Sequence, residues 1–142
     1  MAFDSDIPTA PLVSLLYRNQ NKFLNKKLKD VELSSGLYPL LIKSYKNDGI
    51  SQEELASSLH VNESTITRNL DKLEKKGLIR KTPEKRKKII SVTDDGAEIA
   101  QKIMGYDDKW DETIKKSLTE SEYDDFKKLL KKICEDLIWT KQ

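Results

Sequence analysis

Four residues on one expected helical turn, Ser64, Thr65, Thr67 and Arg68, carry groups suited to reading a polyanion, and a basic run, Lys85-Arg86-Lys87-Lys88, follows them. Hydroxyls donate or accept at base edges and phosphates, an arginine grips guanine O6 and N7 with two bonds, and the positive end of a helix attracts phosphate. From Arg68 to Lys88 there are ten Lys and Arg against three acids, a net of +7, whereas the whole chain carries +2. The remaining residues therefore sum to −5, so the positive charge is concentrated where those side chains lie. A basic run alone is more often a solvated loop. Three hydroxyls on one turn are more telling, because they are mediocre helix formers and their clustering needs another reason.

The flanking pattern indicates what positions these groups. Ser51 caps a first helix, with Glu54 three residues on and Ile50 and Leu55 at staple spacing; Leu55, Ala56 and Leu59 line its apolar face. After a break at His60-Val61, Asn62 caps a second helix whose buried side is Ile66, Leu70 and Leu73, and Gly77 ends it in the left-handed region. Its opposite face holds the four readers with Asp71, Lys72 and Lys75. The period then changes to that of strands, Leu78 to Thr82 and Lys87 to Val92, around a turn at Pro83-Glu84-Lys85-Arg86. This is a helix-turn-helix followed by a hairpin with charge at its tip.

The segment resembles the winged helix-turn-helix of MarR-type transcriptional regulators. The family's wing signature, Asp-x-Arg, five residues, Leu-Thr, and a Gly three positions after the Thr, corresponds to Glu84-Lys85-Arg86, Val92-Thr93 and Gly96. Its recognition-helix pattern corresponds to Asn62-Glu63-Ser64-Thr65-Ile66-Thr67-Arg68, and Glu54-Leu55-Ala56 and Leu73 to Ile79 also fit. The departures are Glu84 for the wing Asp, Val92 for Leu, and Glu63 for a common Lys. The resemblance implies a homodimer whose N- and C-terminal helices interlock, binding double-stranded DNA at an inverted repeat. Repression or activation would follow from where the operator lies relative to a promoter. The expected DNA-contacting set is Ser51, Asn62, Ser64, Thr65, Thr67, Arg68, Lys72, Lys85, Arg86, Lys87 and Lys88, with Glu84 orienting the wing. A small-molecule effector of unnamed identity is implied as well, in a crevice lined in part by the helix that carries Tyr38 and Tyr45.

The 142 residues, 35% charged and 7% aromatic, suit one mainly helical domain. The expected organisation is an arm and dimerisation helix at 1–33, the winged helix-turn-helix at 34–93, and a long linking helix plus C-terminal dimerisation helix at 94–142. Apolar residues from Leu12 to Leu28 predict a first helix, reaching about Asp30 from a start flanked by Pro8 and Pro11. Leu33-Ser34-Ser35-Gly36 signals the next start, with Pro39 bending or delaying the helix through Tyr45. Thr93 caps the long helix, which Gly105 is expected to interrupt, with a kink or a weak point near Gly105-Tyr106. Thr119 and Glu122 form a capping box for the last, striped by Tyr123, Phe126, Leu129, Leu130, Ile133, Leu137 and Ile138. These terminal stripes run beyond what one winged helix can cover, so a second copy is the natural partner.

Other chemistries find little support. The acidic N-terminus lacks the order of a signal peptide and no apolar run reaches bilayer length, which points to the cytoplasm and away from membranes. Cys134 is the single cysteine, excluding an internal disulfide and expected to pack as a small hydrophobe, and His60 is the single histidine, expected as a turn residue. Trp110 and Trp139 are expected in packing. Nucleophile, base and orienter do not converge, glycine-rich phosphate loops are absent, and the carboxylate pairs sit at helix starts. Hence no catalytic residue, metal site or cofactor is expected. The alternative from a different class is a winged-helix protein-interaction module, whose basic face docks an acidic partner.

Overall fold

The computed structural model describes residues 3–34 and 36–139, without the Trp139 side chain. The packing expected of Trp139, Ser35 of the start signal and Met1-Ala2 of the arm lie outside these residues. In chain order the elements are α1 (Thr9–Leu28), a 3-10 turn (Lys29–Val31), α2 (Tyr38–Lys46), β1 (Ile50–Ser51), α3 (Gln52–Leu59), α4 (Glu63–Lys75), β2 (Ile79–Glu84), β3 (Lys87–Val92), α5 (Asp94–Lys115) and α6 (Glu120–Trp139). This is a mainly α chain with a small antiparallel wing, as the patterning indicated. The chain divides into two compact units, Met1–Tyr106 and Asp107–Gln142, with the division inside α5. Among the described residues no helix is long and apolar enough to cross a membrane.

In the first unit, one core joins Leu24 and Leu28 of α1, Leu40 and Leu41 of α2, Leu55 of α3, Ile66, Leu70 and Leu73 of α4, Ile90 of β3, and Ala100 and Ile103 of α5. The apolar stripe of α4 is the one inferred from its spacing. Pro39 stands in the first turn of α2, where its missing N–H has no intrahelical partner to lose; the helix starts at Tyr38 and runs on unbroken.

Two features of the sheet lie beyond the periodicity. Residues Ile50 and Ser51 form β1, pairing with Ile90 and Ile89 in the order β1-β3-β2. The hairpin turn is shorter than expected, because β2 continues through Pro83 and Glu84, opposite Lys88 and Lys87. Pro83 is tolerated there since β2 is an edge strand. Only Lys85 and Arg86 remain in the turn, with Lys85 at φ 58°, a left-handed position that branched and bulky residues avoid.

Two local devices anchor the wing to the helices. At the end of α4, Gly77 at φ 75° lets its N–H donate to Glu74 O at 2.9 Å and the Leu78 N–H to Leu73 O at 3.1 Å, closing a Schellman cap over buried Leu73 and Leu78. At the start of α5, the Thr93 hydroxyl donates to Gly77 O at 2.7 Å and accepts the Gly96 N–H at 3.0 Å. A Cβ on Gly96 would run into the Leu78 carbonyl oxygen, so only glycine permits this approach. The glycine of the wing signature thus has a packing reason. Gly105, by contrast, does not interrupt α5, which is continuous from Asp94 to Lys115.

In the second unit, the Thr119 hydroxyl accepts the Glu122 N–H at 3.1 Å and Glu122 Oε1 accepts the Thr119 N–H at 2.8 Å, the reciprocal capping box expected of α6. Tyr123 is buried, but Leu129, Leu130, Ile133, Leu137 and Ile138 are exposed. Cys134 is exposed too, contrary to its expected burial, because nothing in this unit covers that length of helix.

Candidate nucleic-acid interface

α4 is held at both ends and along its side, leaving its polar face to solvent. Asn62 Oδ1 accepts the Thr65 N–H at 2.9 Å and the Ser64 hydroxyl at 2.8 Å, which fixes the first turn. On α3, Ser51 Oγ accepts the Glu54 N–H at 3.1 Å and donates to Glu54 Oε1 at 3.0 Å, so the glutamate engages the capping hydroxyl. His60 closes α3 in the left-handed region at φ 55°, a turn residue as expected.

The structure brings most of the expected site residues onto two adjoining hollows. One is lined by Ser64, Thr67, Arg68, Asp71, Lys72 and Lys75 of α4. The other is lined by Ser51 and Gln52 at the start of α3, Glu63 and Thr67 of α4, and Arg86, Lys87 and Lys88 of the wing, among others. Thr67 belongs to both, so the recognition-type helix and the wing tip share one continuous surface. Asn62 and Lys85 are exposed and Thr65 half-buried, outside the lining of either hollow.

Three expectations change at the level of individual contacts. Ser51 is 2% exposed and its hydroxyl is committed to the cap, so its side chain positions α3 and does not offer a free group. The Thr67 hydroxyl is also committed, donating to Glu63 O at 2.9 Å and accepting from Gln52 Nε2 at 2.6 Å. Glu84 is exposed, and among the described residues no ion pair joins it to Arg86. The wing tip is held by the β2-β3 ladder up to Glu84 opposite Lys87 and by the left-handed backbone at Lys85.

A clamp between α4 and β2 escaped the sequence reading. Lys81, its side chain only 9% exposed, pairs with Asp71, and Glu74 Oε2 accepts the Lys81 N–H at 3.1 Å. The hydrogen bond from Lys81 holds the Asp71 carboxyl below its usual range, aided by the charges of Lys81, Lys88 and Lys75 and opposed by desolvation. Acids on the cationic face therefore have a structural task, and Lys81 is turned inward. Lys76 is also engaged, its Nζ 3.2 Å from Glu32 O. Arg68, Lys72, Lys75, Arg80 and the four wing-tip cations are exposed. No group of three or more metal-ligating side chains occurs among the described residues.

Two short helices with a solvent-facing second helix, flanked by a cationic two-stranded hairpin, define a winged helix-turn-helix protein. The family model described as the MarR family matches residues 33–88. The HTH-type transcriptional regulator BilQ of Clostridioides difficile (strain CD3) is 32% identical over 122 residues, covering 84% of this chain and 82% of that protein. The crystal structure of MarR superposes with a TM-score of 0.81 at 30% identity, covering 97% of this chain and 96% of that one. A MarR family transcriptional regulator from Listeria monocytogenes, complexed with 26mer DNA, gives 0.80 at 27% identity, covering 94% and 90%. The chain belongs to the MarR family of transcriptional regulators, and these relatives are regulators, not enzymes.

Proposed function

We propose that the chain is a homodimeric, sequence-specific regulator that binds an inverted repeat in double-stranded DNA and acts in the cytoplasm, with repression as its expected effect. The observation that carries this reading is the surface shared through Thr67 by the exposed face of α4 and the wing-tip cations. A helix of this width fits a major groove, and a basic wing beside it suits the neighbouring backbone and minor groove. Arg68, Lys72 and the wing lysines would supply most of the affinity through phosphates, and the first turns of α4 the selectivity. Residues 34–93 form the DNA-binding region, with 1–33 and 94–142 serving assembly.

The dimer is supported by apolar residues left exposed in each unit separately: Val13, Leu15, Leu16 and Tyr17 on α1, and Leu129, Leu130, Ile133, Leu137 and Ile138 on α6. Two copies related by a two-fold axis would present two α4 helices about 34–36 Å apart, one turn of duplex. Response to a small-molecule effector is the least supported part of the reading. It rests on the family and on α2, where Tyr38 and Tyr45 are half-buried and the Tyr45 hydroxyl accepts from Gln101 Nε2 at 2.8 Å. Family membership disfavours the acidic-partner module.

Affinity measured against a selected operator and random duplex over a range of salt tests the reading. Arg68→Ala is expected to narrow the gap between the two DNAs, by about 1–3 kcal/mol for each guanine that the arginine no longer grips. Arg86→Ala is expected to weaken both and to reduce the salt slope by about one per protomer. An unchanged specificity ratio in folded Arg68→Ala, or unchanged affinity in folded Arg86→Ala, would contradict the assignment of that side chain.

A further inference from the structure

Thr67 stands where the two hollows of the interface meet, yet its hydroxyl is occupied from both sides. The direction of each bond follows from the groups involved. A backbone carbonyl only accepts, so the single hydroxyl proton points to Glu63 O, and Gln52 must then present its amide NH2 to Oγ1. The Gln52 Oε1 atom is buried and has no partner among the described residues, so this amide's side-chain hydrogen bonding is spent on Thr67. Because Cβ of threonine is branched, fixing Oγ1 fixes the methyl with it. The methyl and one acceptor lone pair of Oγ1 are what Thr67 has left to offer a ligand.

We propose that Gln52 is a positioning residue that makes Thr67 an apolar reader, recognising the 5-methyl group of a thymine in each half-site. The inference rests on the reading of α4 as a recognition helix. Thymine is the one base that shows a methyl in the major groove, and a threonine methyl is a fitting partner for it. Arg68, the next residue and exposed, keeps its donors for a guanine nearby. The second lone pair of Oγ1 can only accept, as from a base amino group, a role that serine in place of threonine would retain.

The test uses the full chain and an operator selected from random duplex DNA. Each thymine is replaced in turn by deoxyuridine, which removes the methyl and leaves base pairing intact. Affinities are then measured for the wild type, Thr67→Ser and Gln52→Ala. At one position per half-site the wild type is expected to lose about fourfold per methyl removed. Thr67→Ser keeps the hydroxyl and both its hydrogen bonds, and is expected to bind thymine and uracil operators equally at that position. Gln52→Ala is expected to show a reduced methyl effect with an unchanged salt slope. Insensitivity of the wild type to uracil at every position, or full sensitivity in Thr67→Ser, would overturn the methyl reading. Full sensitivity in Gln52→Ala would overturn the positioning role. A wild type that selects no sequence at all would instead overturn the recognition-helix reading on which the inference rests.

Discussion

Ser51, Ser64 and Thr67 carry the same functional group and use it differently. At Ser51 it is buried in a cap, at Thr67 it is held by Gln52 and Glu63, and at Ser64 it leans on Asn62 while staying exposed. The sequence makes all three look alike, because burial and the crossing of α3 and α4 decide which hydroxyl stays available. The Asp71–Lys81 pair was hidden for a similar reason, joining a helix to a strand. Asp71 and Glu122 both titrate below their ordinary range in the folded chain, Asp71 through Lys81 and Glu122 through the Thr119 N–H and hydroxyl. A lowered carboxyl pKa gives stability that is complete above the unfolded value and lost as pH falls through the folded one. Lys115, raised by Glu112, behaves oppositely: its contribution is present below 10.5 and lost as pH rises through its folded value. Melting temperature followed against pH is therefore expected to fall below about pH 4, and more shallowly in Asp71→Asn. An identical acid limb in that variant would deny the clamp a part in stability.

At the scale of elements, the helices were legible because each shows a three-to-four residue period, and their caps were legible because Ser51, Asn62, Thr93 and Thr119 are followed at the right distance by donors or glutamates. Strand β1 was not, since two residues have no period and owe their conformation to pairing with Ile89 and Ile90 across the sequence. The sequence predicts a broader hairpin turn than the one observed, because Pro83 has turn chemistry and only its place on an edge strand lets it continue β2. The two glycines of α5 show how one residue type divides by environment. Gly96 abuts the Leu78 carbonyl, whereas a Cβ on Gly105 meets nothing within 4 Å. Gly96→Ala is accordingly expected to cost about 3 kcal/mol by forcing α5 away from the base of the wing. Gly105→Ala is expected to stabilise by about 0.5–1 kcal/mol through helix propensity. Denaturant unfolding checks both, and equal effects of the two would contradict the close approach of α5 to Leu78.

At the scale of the whole molecule, apolar side chains remain exposed on α1 in the first unit and on α6 in the second, and cations gather on α4 and the wing. The apolar surplus at the termini was visible in the sequence as stripes longer than one winged helix can cover, and Cys134 lies on the exposed length of α6. Charge introduced there, as in Leu129→Glu with Ile133→Glu, is expected to shift sedimentation from dimer to monomer and to weaken binding to a two-half-site operator far more than to a single half-site. A dimer that persists with unchanged affinity would remove α6 from the proposed assembly. The most direct test of the central claim is selection of bound sequences from random duplex DNA by the full chain. An enriched inverted repeat with half-sites about one helical turn apart is the predicted result. Enrichment of no motif, or of an isolated half-site without a symmetric partner, would contradict it.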